Sequence, residues 1–154
     1  MPLDSDCIFC RIIAGSAPSI KIAEDEQCIA FMDIAPLSQG HCLVVPKSHY
    51  RKLHELSPNM MDALGRMLIK ITSAMGVDDY NILQNNGSLA YQAVPHVHFH
   101  IIPARPEAQT GTGLEVSKQW RTQNISQESL IAQAESIKSR MRCSVVPEMQ
   151  SIDT

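Results

Sequence analysis

The sequence has no run approaching the roughly 20 apolar residues that a membrane-spanning helix needs. Its first residues, Met1 to Asp6, carry acids where a secretory leader would carry bases. No membrane partner is expected, and the expected compartment is the cytoplasm, with the nucleus as a second. A basic excess is also missing, since 13 Lys and Arg stand against 16 Asp and Glu, a formal charge of -3. Such a surface offers no overall field to hold a phosphate backbone, which argues against duplex nucleic acid as a partner. Nor is there a paired disulfide framework. The cysteines, Cys7, Cys10, Cys28, Cys42 and Cys143, are five, and only Cys7 and Cys10 have a recognisable spacing, which fits a reducing compartment. No internal repeat or low-complexity tract is visible, and 154 residues suit one domain around one core.

What is present reads as an α+β chain. Ile8, Ile12 and Ile13 mark a short helix ended by Gly15 and Pro18. Ile20 to Ala23 and Gln27 to Met32 are two apolar segments around the turn-like Glu24, Asp25 and Glu26, which predicts a hairpin. A loop from Asp33 to Gly40 leads to Cys42-Leu43-Val44-Val45, a continuous apolar run stopped by Pro46 that suits a central strand. Ser57 and Pro58 form an N-cap and N1 pair, after which Met61, Leu64, Leu68, Ile71 and Met75 recur at helical spacing until Gly76. Tyr80 to Leu83 resumes strand character and Asn85-Asn86-Gly87 is a turn. His96 to Ile102 is the last strand, Pro103 to Gly113 a long connection, and Ser126 caps a final helix with Leu130, Ala134, Ile137 and Met141 as its apolar stripe. The expected divisions are a flexible start over 1–6, a core over 7–103, the connection and C-terminal helix over 104–142, and a disordered tail over 143–154.

Chemistry concentrates in His96-Val97-His98-Phe99-His100-Ile101-Ile102, which holds half of the six histidines. Side chains of a strand alternate faces, so three imidazoles line one face about 6.5 to 7 Å apart while Val97, Phe99 and Ile101 enter the other. Alternating histidines could also be the solvated face of an edge strand or a metal-binding tract. Gly40-His41 and Lys47-Ser48-His49 bracket another apolar strand that could lie beside this one.

The pattern His-φ-His-φ-His-φ-φ, with φ apolar, is the signature of the histidine triad (HIT) superfamily, and the chain resembles its Hint branch of nucleotide-binding proteins. Other blocks agree in order: Cys7 to Ile13, Ala30 to Ile34, Gly40 to Lys47, and Tyr80 to Gly87. The resemblance implies an antiparallel sheet of about five strands with one main helix, a short N-terminal helix and a C-terminal helix, the sheet continuing across a homodimer. It implies binding of purine nucleotides such as AMP, GMP and their phosphoramidates, and hydrolysis at the α-phosphorus through a nucleotidyl-histidine, with no organic cofactor. On the family pattern His98 is the nucleophile, His100 protonates the leaving amine, and His41 and His96 support them. Asp33 matches the carboxylate that takes the ribose hydroxyls, and Asn85, Gly87, Gln92 and Ala93 match positions at the phosphate. Ile8, Phe9, Ile12, Phe31 and Ile34 match positions that enclose the base. At Ala93 relatives often carry a hydroxyl, so one phosphate hydrogen bond is expected to be absent.

Cys7 and Cys10 with His49 and His96 offer two thiolates and two imidazoles, a donor set that closes a tetrahedral structural zinc site, and some relatives bind zinc at matching positions. The two cysteines could equally be small apolar residues of the first helix. A redox dithiol lacks a thioredoxin-like surrounding. Among activities, hydrolysis of nucleoside 5'-phosphoramidates leads. Hydrolysis of dinucleoside polyphosphates and a non-enzymatic nucleotide-sensing or scaffold role are the alternatives.

Overall fold

The computed structural model describes residues 3–104 and 122–143. The five apolar segments form one antiparallel sheet in the order β1-β2-β3-β5-β4, with β1 at Lys21–Glu24, β2 at Cys28–Met32, β3 at Cys42–Pro46, β4 at Tyr80–Leu83 and β5 at Phe99–Pro103. The expected hairpin is present. Asp25 closes its turn by accepting the N–H groups of Gln27 and Cys28 on Oδ1 at 2.8 and 2.7 Å, a side-chain substitute for a backbone turn bond. β3 sits at the centre with every residue buried, as its unbroken apolar run requires.

Alternation along the strands separates two cores. Cys28, Ala30, Met32, Cys42, Val44, Phe99 and Ile101 face the helices α2 (Pro58–Ala74) and α3 (Gln127–Cys143). Ile29, Phe31, Leu43 and Val45 face the other way and meet Cys7, Phe9 and Cys10 at the start of α1 (Ile8–Ile13). The sheet is thus covered on both sides, and the second side carries the histidines.

The Ser57 hydroxyl caps α2 by accepting the Met60 N–H at 3.2 Å, and Gly76 follows the C-terminal end at φ +67°. The buried stripe of α2 is Met60, Ala63, Leu64, Met67, Ile71 and Ala74. It is rotated from the expected one: Met61 is exposed and Leu68 only partly buried, because α3 packs beside α2 and draws the adjoining row inward. The stripe of α3 is as expected, with Leu130, Ala134 and Ile137 buried and Ser126 Oγ accepting the Ser129 N–H at 3.2 Å. Arg140 then donates from Nε and Nη2 to the carbonyls of Ala74 and Met75 at 2.6 and 2.9 Å, satisfying carbonyls that a helix end leaves without partners.

The last strand begins later than predicted, at Phe99 rather than His96. β5 pairs with β3 up to Phe99 opposite Val44. Beyond that point Pro46 has no N–H to give, its carbonyl faces His96 Nε2 at 2.9 Å, and the Val97 N–H turns to the Tyr50 carbonyl at 2.7 Å. His96 lies in a bend, and both it and His98 fall outside the ladder. Most of the connection predicted over Pro103 to Gly113, Trp120 and the tail 144–154 lie outside the described residues. Among the described residues no helix is long and apolar enough to cross a membrane.

Candidate active site

A cavity of about 900 Å³ opens on the second face of the sheet. Ile8, Phe9 and Ile12 of α1, Phe31, Asp33 and Ile34 at the end of β2, and Ser88 with Tyr91 to Val94 form its walls, and His98 and His100 its floor. This volume and mostly apolar lining suit a mononucleotide-sized ligand. Phe9 touches both Phe31 and His98 edge-on, with ring centroids 5.6 and 5.2 Å apart. Phe9 and Phe31 are buried, whereas Ile8 and Ile34, 40% and 87% exposed, form the rim rather than the depth of the slot.

Backbone groups fix the protons of the rings. His98 Nδ1 lies 2.7 Å from the His96 carbonyl; a carbonyl only accepts, so Nδ1 carries the hydrogen and Nε2 holds the lone pair. His41 Nδ1 accepts the Leu37 N–H at 3.0 Å, so the hydrogen of neutral His41 is on Nε2, 3.0 Å from His100 Nδ1. His100 therefore accepts on Nδ1 and carries its own hydrogen on Nε2. The centroids of His98 and His100 are 4.9 Å apart. One ring is set as a base or nucleophile and its neighbour as a donor.

Asp33 anchors the other wall. Its Oδ1 accepts the Ala35 N–H at 2.8 Å, and its Oδ2 lies 3.5 Å from His41 Nε2 and 3.8 Å from His100 Nδ1. A carboxylate has about four acceptor positions, so hydroxyls of a ligand can still be taken.

Of the remaining predicted residues, Gln92 and Ala93 line the cavity and Asn85 and Gly87 do not. Asn85 and Gly87 are absent from its lining: Asn85 Nδ2 donates to the Tyr91 carbonyl at 3.3 Å, and Gly87, at φ +92°, donates its N–H to Gln92 Oε1 at 2.6 Å. Gln92 lines the cavity, but its amide is engaged at both ends, since Nε2 donates to the Arg51 carbonyl at 2.8 Å. These three shape the Gly87–Gln92 turn, in which Tyr91 adopts φ +62°, a strained conformation for a bulky residue. Leu37, Ser88, Tyr91 and Thr122 were not anticipated.

His96 faces a different cluster. Its Nδ1 lies 3.4 Å from Cys7 Sγ and 3.5 Å from Cys10 Sγ, and His49 Nδ1 lies 3.2 Å from Cys10 Sγ. All four residues are buried, and their ligand atoms lie within 4.8 Å of one another. Zinc with bonds of about 2.0 to 2.3 Å to nitrogen and sulfur sets tetrahedral donors about 3.3 to 3.8 Å apart, so the donor set fits. Because His96 Nε2–H points to the Pro46 carbonyl, Nδ1 presents a lone pair to the cluster, the outer-sphere arrangement that orients metal-ligating histidines.

Burial dominates the titration of the floor. It holds His41 and His98 below the ordinary histidine range, and burial together with the neighbouring His98 and His41 pushes His100 down to about 2. Asp33 opposes the shift at His41. Depressed histidine values mean that the unfolded chain binds more protons between the folded value and about 6.5. His41 and His100 thus contribute stability that is complete above about pH 6.5 and lost as the pH falls below it, with a slope approaching about 1.4 kcal/mol per unit for His100. Ring nitrogen shifts should keep His100 neutral at pH 5 while the unfolding free energy declines; a His100 ring that titrates near 6.5 would show it to be solvated.

Residues 14–107 match the HIT domain family. The adenosine 5'-monophosphoramidase hnt1 of Schizosaccharomyces pombe is 46% identical over 136 residues, covering 88% of this chain and 98% of that protein. A Hit-like protein of Bartonella henselae superposes with a TM-score of 0.75 at 32% identity, covering 91% of this chain and 99% of that one. A Zn-bound histidine triad family protein of Mycobacterium smegmatis does so with a TM-score of 0.72 at 27% identity, covering 89% and 94%.

Proposed function

Because the chain belongs to the HIT domain family, we propose that it hydrolyses purine nucleoside 5'-phosphoramidates at the α-phosphorus through a nucleotidyl-histidine. The observation that carries this reading is the pair of opposed tautomers, His98 with a lone pair on Nε2 and His100 with a hydrogen there, on the floor of one cavity. Phe9 and Phe31, with Ile8, Ile12 and Ile34 at the rim, enclose the base, and Asp33 accepts the ribose hydroxyls. His98 Nε2 forms a bond to phosphorus as the P–N bond breaks, which divides one displacement into two. The departing amine nitrogen takes a proton through His100 Nε2, since an amine leaves phosphorus poorly unless protonated. That proton enters from solvent. In the second half water attacks phosphorus, the P–Nε2 bond breaks, and the water proton leaves by the same route, so the cycle returns to its start. His41 keeps His100 in the required tautomer, and the His96 carbonyl does the same for His98.

Cys7, Cys10, His49 and His96 hold a zinc ion. With four protein ligands the site leaves no position for water, so the metal supplies rigidity and not a nucleophile. A second copy of the chain joins at the β4 edge. The terminal place of β4 in the sheet and the exposure of Tyr80 and Ile82, 41% and 43%, support that pairing.

The test is mass spectrometry of protein quenched during turnover of an AMP amidate. An AMP adduct on the peptide containing His98 is expected. Turnover with no adduct, or faster cleavage of a dinucleoside polyphosphate than of the amidate, would overturn the assignment.

A further inference from the structure

The tautomer of His41 depends on one backbone N–H, that of Leu37, and Leu37 belongs to a loop tied elsewhere in the chain at two points, the Pro36 carbonyl, which accepts the Gln123 N–H at 2.7 Å, and Gly40. The loop from Asp33 to His41 has few internal ties: Asp33 N–H to the His41 carbonyl at 3.1 Å, His41 N–H to the Ser38 carbonyl at 3.1 Å, and the Ala35 bond to Asp33. Gly40, at φ +89°, is buried, and a Cβ there would come within 3.2 Å of the Pro103 side chain. Its N–H finds no acceptor within the loop. It donates to Gln133 Oε1 on α3 at 2.6 Å, 93 residues away. The Gln133 amide is itself oriented, because Nε2 donates to Ser129 Oγ at 2.9 Å. The flanking Leu130, Ala134 and Ile137 fix the height of α3 against the sheet and α2.

We propose that Gln133 is a positioning residue for the catalytic relay: by accepting the Gly40 N–H it holds the loop in the conformation in which Leu37 N–H meets His41 Nδ1. The chain of contact is short, from Gln133 to Gly40, from Gly40 to its neighbour His41, and from His41 Nε2 to His100 Nδ1 at 3.0 Å. Without the acceptor, the Gly40 N–H is a buried donor with no partner, and the loop shifts toward water to satisfy it. Leu37 then leaves His41 Nδ1, which becomes free to take the hydrogen. In that tautomer Nε2 accepts rather than donates, and His100 Nδ1 must carry a hydrogen to meet it, which removes the hydrogen of neutral His100 from Nε2. The polarity of the relay is reversed with both rings still in place.

The inference rests on the phosphoramidase reading for its kinetic arm only; the nitrogen shifts of the ligand-free protein test it independently. In the wild-type chain, His41 is expected as the Nε2–H tautomer. Gln133→Met keeps the length of the side chain and removes the acceptor. It should give a mixture of His41 tautomers and lower kcat on an AMP amidate by about tenfold or more, the scale of an ångström-level misplacement, with AMP affinity changed less than about threefold. Gln133→Glu restores an acceptor and should restore both the tautomer and kcat to within about threefold. Arg140→Met loosens a different polar tie of α3, to the carbonyls of Ala74 and Met75. It should lower the melting temperature and leave the tautomer and kcat as they are. If Gln133→Met does not fold, Gln133→Asn, too short to reach Gly40, takes its place. Unchanged nitrogen shifts in the acceptor-free variant, or an equal loss of tautomer and kcat in Arg140→Met, would overturn the proposal. A wild-type chain inert toward the amidate would sink the activity and leave the shifts to decide the role of Gln133.

Discussion

His98→Ala is expected to lose about 10⁴-fold or more in kcat on an AMP amidate, the scale of removing a covalent nucleophile, while AMP still binds within about threefold of wild type. The two outcomes separate because the groups that hold the ligand are not those that react. Asp33 is anchored by Ala35 and the Phe9–Phe31 pair by the core beneath it, and neither depends on the His98 ring. Truncation does remove an edge contact to Phe9, so His98→Gln, which refills part of the space, is the companion variant. Calorimetry with AMP and steady-state rates on both proteins decide the matter. Activity within tenfold of wild type in either would move the nucleophile elsewhere.

The second large effect is on stability. Cys7→Ser with Cys10→Ser should abolish zinc binding and lower the melting temperature by about 8 to 16 °C. The figure follows from linkage: a ligand present at a thousandfold its Kd stabilises by about 4.1 kcal/mol, and for a chain of this size each kcal/mol is worth about 2 to 4 °C. Elemental analysis of the wild-type protein should give about one zinc per chain. The effect on turnover should be smaller than on stability, since the path to chemistry runs only through His96, whose carbonyl holds the His98 hydrogen. A metal-free protein after zinc-supplemented expression, or a double variant with an unchanged melting temperature, would leave Cys7 and Cys10 as ordinary core residues.

Much of this site is legible in the sequence because its side chains declare themselves. Period-2 alternation alone puts His98 and His100 on one face and Phe99 and Ile101 on the other, and the structure bears this out even where the ladder has ended. Cys7, Cys10, His49 and His96 can be named as a donor set before their distances are known. Gly15, Ser57, Pro58 and Ser126 mark helix ends by their local conformational preferences. What could not be read is the work of groups without a chemical label. The Leu37 N–H that sets the His41 tautomer looks like any other backbone amide, and its role exists only once the loop has closed. Gln92 was expected at the phosphate from its position, but its amide braces Gly87 and Arg51. The stripe of α2 was displaced by one residue because the neighbour that selects it, α3, lies far along the chain, and local periodicity contains no term for that neighbour. Gln133 is the extreme case, a glutamine on an amphipathic helix whose partner is a glycine amide.

The segment from His96 to His100 serves three ends with five residues: Val97 and Phe99 build the core under α2 and α3, His98 and His100 the floor of the cavity, and His96 the cluster with Cys7, Cys10 and His49. The side-chain period of a strand is two, so removing or adding a single residue anywhere within it would invert everything downstream. Imidazoles would be driven into an apolar interior and phenylalanine or isoleucine into the cavity, costing fold and chemistry together. Changes of type at these positions can be graded; changes of length cannot. The segment therefore behaves as a reading frame, in which substitutions tune the enzyme and a one-residue slip erases it.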